Sequence, residues 1–272
     1  MNRFLMLIFY LLMICVSKPL FAELIVVGGS GTDLGTFKLL GQAFIKEHPG
    51  IQIKVLPSMG SSGGLKALKH QKIDLALTSR PLKAKEITDS INYRHYASTP
   101  LVFVVARSSA QKDISTEQVL EFYTGDIKHW PDGSVIRPIL RPLSDSDTKL
   151  IVNTLIECKK CFYKAYQRRG VPIALTDQES ADMVTSVPGA LGTSTLALIL
   201  SEKKSIKALS LNGIIASAES LDNQLYPMFK DLYLVYNKQH KSKFLPDFLG
   251  FLSSEKARSI LLNTGHLVKK SN

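Results

Sequence analysis

The sequence has few of the residues that build metal centres. It contains three cysteines and six histidines in 272 residues, and the histidines show no spacing that a zinc site would need. It also lacks any dense run of lysine and arginine with interleaved aromatic residues, the pattern typical of nucleic-acid binding. We therefore expect neither a bound metal nor a nucleic-acid partner.

Long hydrophobic runs are absent except at the N-terminus. There, Arg3 precedes the apolar stretch Phe4–Val16, and Ala22 offers a small residue at the expected cleavage point. We interpret residues 1–22 as a signal peptide cleaved near Ala22, with a retained N-terminal anchor as the alternative. No later stretch approaches the roughly 20 apolar residues of a membrane span. The mature chain is therefore expected in the periplasm or outside the cell.

Acidic residues are fewer than basic ones, with 23 aspartates and glutamates against 34 lysines and arginines. The resulting formal net charge of +11 favours anionic ligands or surfaces without selecting one of them. With 45% hydrophobic and 21% charged residues, the chain is expected to be globular. Its length allows one large domain or two lobes.

Two cysteines lie beyond the predicted signal peptide, Cys158 and Cys161, in the sequence Cys-Lys-Lys-Cys. In an exported protein such a pair is favoured to form a local disulfide or to stay structural. A redox site would need the pair at the start of a helix that follows a strand. Here residues 151–169 are expected to be helical on both sides of the pair, which argues against redox function.

The sequence does contain Gly/Ser segments between predicted strands and helices. The clearest is Gly60–Gly64, Gly-Ser-Ser-Gly-Gly, which follows the alternating strand Ile51–Leu56 and precedes a helix expected to open at Leu65. The first turn of a helix has unpaired N–H groups and the positive end of the helix dipole. Because both features attract anions, this segment predicts an anion site.

The same order of strand, polar loop and helix recurs along the chain. The strands predicted at 24–27, 73–77 and 135–140 each end in a polar loop, which implies an α/β fold with parallel strands. The carboxyl ends of parallel strands gather such loops at one edge, where ligands bind. Taken alone, each loop is better explained by ordinary helix capping, so it is the set that favours a binding site. The polar residues of these loops are Ser30, Thr32, Asp33, Arg80, Arg141, Ser146, Asp147 and Thr148.

Further segments complete a family pattern. They are Gly29–Thr32, Gly60–Gly64, Asp74 with Ser79–Leu82, Thr99–Val102, Tyr123–Ile127 ahead of Trp130, Pro188–Gly192, and the last helix ending in Gly265. On these segments the chain resembles the substrate-binding proteins of phosphate-uptake ABC transporters, a branch of the type II periplasmic binding proteins. The resemblance implies two α/β lobes joined by a strand hinge. These lobes would close on phosphate without catalysing a reaction and without a cofactor.

The resemblance also implies a ligand set. Its hydrogen-bonding residues would be Thr32, Ser61, Arg141, Ser146 and Thr148, to which we add Ser30, Asp33, Ser62, Arg80 and Asp147. Two departures bear on the identity of the ligand. The family's Arg-x-x-Gly-Ser-Gly-Thr appears here in residues 141–148, one residue longer and with Asp147 in place of glycine, and Arg80 stands where some members have an aspartate. The acidic residues Asp145 and Asp147 either cap the next helix or accept a proton from a protonated phosphate.

The same resemblance divides the chain and names its partners. Lobe 1 would consist of residues 23–104 and 222–272, and lobe 2 of residues 105–221. The expected partners are inorganic phosphate or a similar oxyanion and an ABC permease, and the protein is expected to be a monomer.

Two other classes of function remain open. Residues 60–64 also satisfy Gly-x-Ser-x-Gly, the nucleophile elbow of serine hydrolases, in the correct strand–turn–helix context. Its triad partners would be Asp222 or Asp231 with His240 or His266. No His-Gly-Gly-type segment accompanies it, and the other anion loops would go unexplained. The second class is a periplasmic sensor or adhesive module that has kept the fold and lost tight binding, which the acidic residues of the 141–148 loop favour.

Overall fold

The structure, a computed structural model, describes residues 23–155, 158–240 and 242–268. The predicted signal peptide lies outside the described residues. So does the side chain of Cys158, and with it the predicted disulfide to Cys161. Within the described ranges, no helix is both long enough and apolar enough to cross a bilayer.

Strands and helices alternate at the start of the chain. The strands are β1 (Glu23–Gly29), β2 (Ile51–Val55), β3 (Leu75–Thr78) and β4 (Ile91–Ala106), and the helices are α1 (Leu34–Glu47) and α2 (Gly60–Lys69). Short 3₁₀ turns occupy Gly31–Asp33 and Ala84–Glu86. Helix α1 buries Leu34, Phe37, Leu40 and Phe44, a spacing of three and four residues that places one apolar stripe against the sheet.

The second part of the chain has shorter strands and more helices. The strands are β5 (Asp113–Ile114), β6 (Arg137–Pro138), β7 (Ala190–Thr195), β8 (Ile206–Ala208), β9 (Ser210–Leu211) and β10 (Phe229–Asn237). The helices are α3 (Thr116–Thr124), α4 (Ser146–Thr154), α5 (Cys158–Gln167), α6 (Asp177–Ser186), α7 (Leu196–Glu202), α8 (Ala218–Asp222), α9 (Leu245–Phe251) and α10 (Glu255–Asn263).

Most strands join one mixed sheet in the order β2-β1-β3-β10-β4-β7-β6, with β8 also paired to β4. Strand β1 is parallel to β2 and β3, which confirms the predicted parallel arrangement of the first strands. Strand β10 is antiparallel to β3 and β4. Its first residues therefore lie at the carboxyl edge of β1 and β3, beside the loops that follow those strands.

Three hydrophobic clusters lie along this sheet: two large cores and a smaller cluster that includes Leu68 of α2 and Ala76 of β3. The first core includes Ile25 of β1, Phe37 of α1 and Phe248 of α9. The second core includes residues 101–105 of β4 and Ile151 of α4. Strand β4 pairs with β10 along its first part and with β7 and β8 along its last part, so it runs from one core to the other. The lobe boundaries stay a prediction.

Helix α2 begins at Gly60 rather than at Leu65, so the predicted Gly/Ser loop is its first turn. A Cβ atom on Gly64 would lie 2.6 Å from Gly29 Cα, and one on Gly29, whose φ is +134°, would lie 2.2 Å from Leu77 O. Both contacts exclude any side chain. Gly64 therefore serves the close packing of α2 on the end of β1, and Gly29 serves the close approach of β1 to β3.

Candidate anion-binding site

The candidate site is a cleft of about 560 Å³ between the N-terminal ends of α2 and α4. Its first wall includes Ser61, Ser62, Ser79 and Arg80. Its second wall includes Ser144, Asp145, Ser146 and Lys149, and Lys230 of β10 lines its inner end. Both walls start at residues that follow strands, as the topology of an α/β sheet requires.

Four hydroxyl groups form a connected chain beside this cleft. Ser30 Oγ lies 2.9 Å from Ser79 Oγ and 3.2 Å from Thr32 Oγ1. Ser61 Oγ accepts the backbone N–H of Ser79 at 3.1 Å. Because a hydroxyl can rotate to donate or accept, the outer members of this chain can adjust to an oxyanion in the cleft.

Helix α2 presents its N-terminus to the cleft without a cap. Its N-cap position, Met59, has no side chain that accepts a hydrogen bond from the first turn. The first-turn N–H groups, beside the hydroxyls of Ser61 and Ser62, are therefore available to an anion. Helix α4 differs, because Asp145 Oδ1 accepts the N–H of Asp147 at 2.9 Å. That capping role is one of the two that the sequence allowed for the acidic residues of this loop.

Lys230 is the buried cation at the inner end of the cleft. Its ammonium donates to Thr32 Oγ1 at 3.2 Å, forms an ion pair with Asp147 and lies 3.9 Å from Asp177 Oδ1. Burial alone would lower the pKa of Lys230, but the neighbouring carboxylates, chiefly Asp147 and Asp177, raise it above its ordinary value. The ammonium is therefore charged at neutral pH.

Arg141 is also buried and already paired. Its Nη2 lies 2.9 Å from Asp145 Oδ2 and 3.5 Å from Asp177 Oδ1, and its Nη1 donates to Ala174 O at 2.9 Å. Burial opposes the charged guanidinium, yet the three nearby aspartates raise the pKa of Arg141. Burial, followed by the charge of Asp147, raises the pKa of the Asp145 carboxyl. Three carboxylates thus surround two cations, and an incoming anion would compete with them.

Arg80 lies at the rim of the cleft in an ion pair with Glu86. Its Nη1 is 2.7 Å from Glu86 Oε2, and its Nη2 donates to Ser62 Oγ at 3.1 Å. The hydrogen bond from Arg80 lowers the pKa of Glu86 to about 2. The guanidinium therefore orients the Ser62 hydroxyl at the start of α2.

Asp33 and Thr148 have other partners. The Asp33 carboxylate accepts the hydroxyl of Tyr96 and lies 2.6 Å from His266 Nε2, and burial together with this carboxylate raises the pKa of Tyr96. Thr148 Oγ1 donates to Arg141 O at 3.1 Å. Neither side chain lines the cleft.

A sequence profile described as a PBP superfamily domain matches residues 20–256. The chain belongs to the PBP (periplasmic binding protein) superfamily. Among its curated relatives, the phosphate-binding protein PstS of Borreliella burgdorferi is 23% identical over 217 residues, which is 77% of each chain. The resemblance found in the sequence is thereby confirmed at the level of the family.

Solved structures share the fold. A Clostridium perfringens protein, described as a phosphate ABC transporter substrate-binding protein and solved with bound phosphate, has a TM-score of 0.76 at 18% identity. The match covers 91% of this chain and 100% of that chain. The periplasmic molybdate-binding protein of Azotobacter vinelandii has a TM-score of 0.65 at 15% identity, over 90% of this chain and 100% of that one. These likenesses confirm the α/β type II periplasmic-binding-protein fold.

Within this PBP fold, the predicted ligand residues fall into separate groups. The residues that line the cleft are Ser61, Ser62, Arg80 and Ser146. Four others do not line the cleft but belong to the chain of hydroxyls or to the buried ion pairs: Ser30, Thr32, Arg141 and Asp147. Asp33 and Thr148 do not line the cleft: Asp33 bonds Tyr96 and His266, and Thr148 bonds the backbone of Arg141. The part that all ten of these residues play in ligand binding stays a prediction.

Sequence reasoning did not select Lys230 or Asp177 for the site. A signal for Lys230 was present, because Leu232 and Leu234 are buried with the period of two that a strand imposes. Extending that period backwards places Lys230 on the same buried face. Asp177 is the first residue of α6, and nothing in the local sequence indicates that it approaches Arg141.

In the part of the chain that the structure describes, the candidate histidines do not form the catalytic triad that a serine hydrolase needs. His266 Nδ1 lies 3.0 Å from Leu261 O and its Nε2 bonds Asp33, while His240 Nδ1 lies 2.7 Å from Ser242 O. Neither histidine is hydrogen-bonded to Ser61.

Proposed function

We propose that this chain is a periplasmic or secreted solute-binding protein that captures phosphate or a similar tetrahedral oxyanion and delivers it to an ABC permease. In this proposal the two lobes of the predicted division close on the anion, and the protein catalyses no reaction. The observation that carries the proposal is the uncapped N-terminus of α2, which opens into the cleft beside Ser61 and Ser62. The family and the phosphate-binding relatives support it.

The chemistry of the cleft suits an oxyanion. Unpaired N–H groups and the helix dipole favour negative charge at the start of α2. Ser61 and Ser79 add hydroxyl donors, and Lys149 and Arg80 add positive charge at the rim. Ser61 Oγ and Ser79 Oγ lie 3.5 Å apart, so one small anion can reach both hydroxyls.

A second candidate is a sensor module with weak or no phosphate binding. The observation that favours it is the pairing of Arg141 and Lys230 with Asp145, Asp147 and Asp177. Two buried cations that would otherwise attract an anion are already neutralised. An oxyanion would then bind only through the outer donors, with lower affinity.

Calorimetry on the mature chain with phosphate, sulfate and molybdate tests the proposal. We expect saturable binding of at least phosphate, and a loss of about tenfold to a hundredfold in Ser61→Ala, because a hydrogen bond to a charged group is removed. Ser134→Ala is the matched control, since Ser134 lies in an exposed turn away from the cleft and its hydroxyl donates to Asp132 Oδ1. Folded protein that binds none of the three anions would favour the sensor instead.

A further inference from the structure

The lining of the cleft also contains exposed apolar side chains. Met59, Leu175 and Phe229 line it with exposed fractions of 36%, 69% and 44%. Single exposed apolar side chains are common on protein surfaces. Here three of them, from separate elements, converge on one cleft whose inner wall is made of hydroxyls. A bare inorganic oxyanion has no apolar surface with which to contact them.

The cleft is also large for such an ion. A volume of about 560 Å³ lies within the range of about 300–1,000 Å³ typical of pockets for organic ligands. The inner end is already held together across the two walls, because Lys230 pairs with Asp147 and Gln178 Nε2 donates to Gly31 O at 2.9 Å. Asp147, Gln178 and Gly31 do not themselves line the cleft, so these contacts take up none of its volume.

The charges of the cleft select the kind of organic ligand. Its lining includes Arg80, Lys83, Lys149 and Lys230 against Asp145 and Asp231. Asp145 is paired with Arg141, and Asp231 accepts the Ser98 hydroxyl at 2.6 Å. Arg80 and Lys230 are likewise paired, with Glu86 and Asp147. Among the described residues, Lys83 and Lys149 have no such carboxylate partner, and their charge favours an anionic group beside the hydroxyls, with an apolar group against the apolar residues.

We propose that the ligands of this cleft are phosphate monoesters with a small apolar organic group. This inference rests on the function proposed above. The phosphoryl group lies at the N-terminus of α2, where Ser61 and Ser79 meet its oxygens. The organic group lies between Leu175 on one wall and Phe229 of β10, where it removes apolar surface from water on both sides.

The test is a calorimetric series on the mature chain with inorganic phosphate and the methyl, ethyl, propyl and butyl phosphates. Each buried methylene should tighten binding by about fourfold, the factor that transfer from water provides. All members of the series carry the same phosphoryl group. The change in binding affinity with the length of the alkyl group therefore measures the apolar contact alone.

Substitutions of the apolar residues Leu175 and Phe229 test where the organic group lies. Leu175→Asn and Phe229→Ser should each weaken the dependence of binding affinity on the length of the alkyl group. Leu225→Asn is the matched control, because Leu225 is a similarly exposed leucine, at 58%, that does not line the cleft. It should keep the slope of the parent protein.

The outcomes separate this inference from the proposed function. Phosphate binding with no gain along the ester series would overturn the inference and leave the proposed function standing. Failure of phosphate and of every ester would overturn both. If affinity rises with alkyl length in the parent protein and this rise is reduced in the Leu175 and Phe229 variants, the inference is supported. If the variants keep the same rise, the organic group does not lie against Leu175 and Phe229, and the inference is overturned.

Discussion

Lys230 of β10 forms an ion pair with Asp147 of α4, and the two residues are 3% and 1% exposed. They are distant in sequence and come from opposite sides of the cleft. The pair therefore joins the strand that completes the first core to a helix of the second core. Its partners Thr32 and Asp177 extend the connection to the 3₁₀ turn after β1 and to the first residue of α6.

Replacing Lys230 with methionine should destabilise the fold strongly. The substitution leaves the Asp147 carboxylate buried without its cation, which costs about 3–5 kcal/mol in the free energy of unfolding. Urea denaturation at neutral pH measures the loss. The double variant Lys230→Met with Asp147→Leu should recover much of it, since neither charge then remains buried alone. A single variant as stable as the parent would show that Asp147 relies on other partners.

The pair of Arg80 and Glu86 should make stability depend on acidic pH. Folding lowers the pKa of Glu86 from about 4.5 to about 2, so the pair's contribution is present above pH 4.5. It is lost as the pH falls towards 2, because the carboxylate takes up a proton. The difference in unfolding free energy between the parent and Glu86→Gln should shrink over that interval in urea titrations. A difference that is independent of pH would contradict the ion pair.

Gly64→Ala should destabilise the protein, because its Cβ would lie 2.6 Å from Gly29 Cα. Overpacking of this kind costs about 1–3 kcal/mol. Gly250→Ala is the matched control, since Gly250 is also helical and its Cβ would have no neighbour within 4 Å. That change should be neutral or stabilise by up to about 1 kcal/mol. Equal effects of the two substitutions in thermal unfolding would refute the close packing of α2 on β1.

Asp145→Asn should raise the affinity for sulfate by about tenfold or more, because it removes one of three carboxylates near the cleft. Asparagine still caps α4, so the helix start is kept while Arg141 loses one partner. Parallel calorimetry with phosphate and sulfate measures the change in selectivity. Asp182→Asn is the control, as Asp182 is paired with Lys204 on the surface. Unchanged sulfate affinity would limit Asp145 to its capping role.

The sequence allowed much of the fold to be predicted, because the governing signals are local. The alternation of residues 51–56 and the stripe from Leu34 to Phe44 each identify one element without reference to the rest of the chain. Short strands were harder. The strand expected at 135–140 is limited to β6, Arg137–Pro138, because its pairing depends on β7, far along the chain.

The candidate site was predictable only in part, for a physical reason. Ser61, Ser62 and Ser146 stand at helix starts, so local pattern places them at the edge of the sheet. The ion pairs of Lys230 and Arg141 depend instead on which elements meet in space. A lysine in a strand and an aspartate at a helix start look like ordinary surface residues until the tertiary structure buries them together.

The position of β10 between β3 and β4 affects how the chain can fold during synthesis. Leu234 of β10 belongs to the same core as Ile25 and Leu77, so the core formed by the first residues stays incomplete until residues 229–237 have emerged from the ribosome. Contacts of such long sequence separation form late and slowly. The nascent chain cannot complete its first core until nearly all of its residues have been made. Until then it stays unfolded enough to be threaded through a narrow channel.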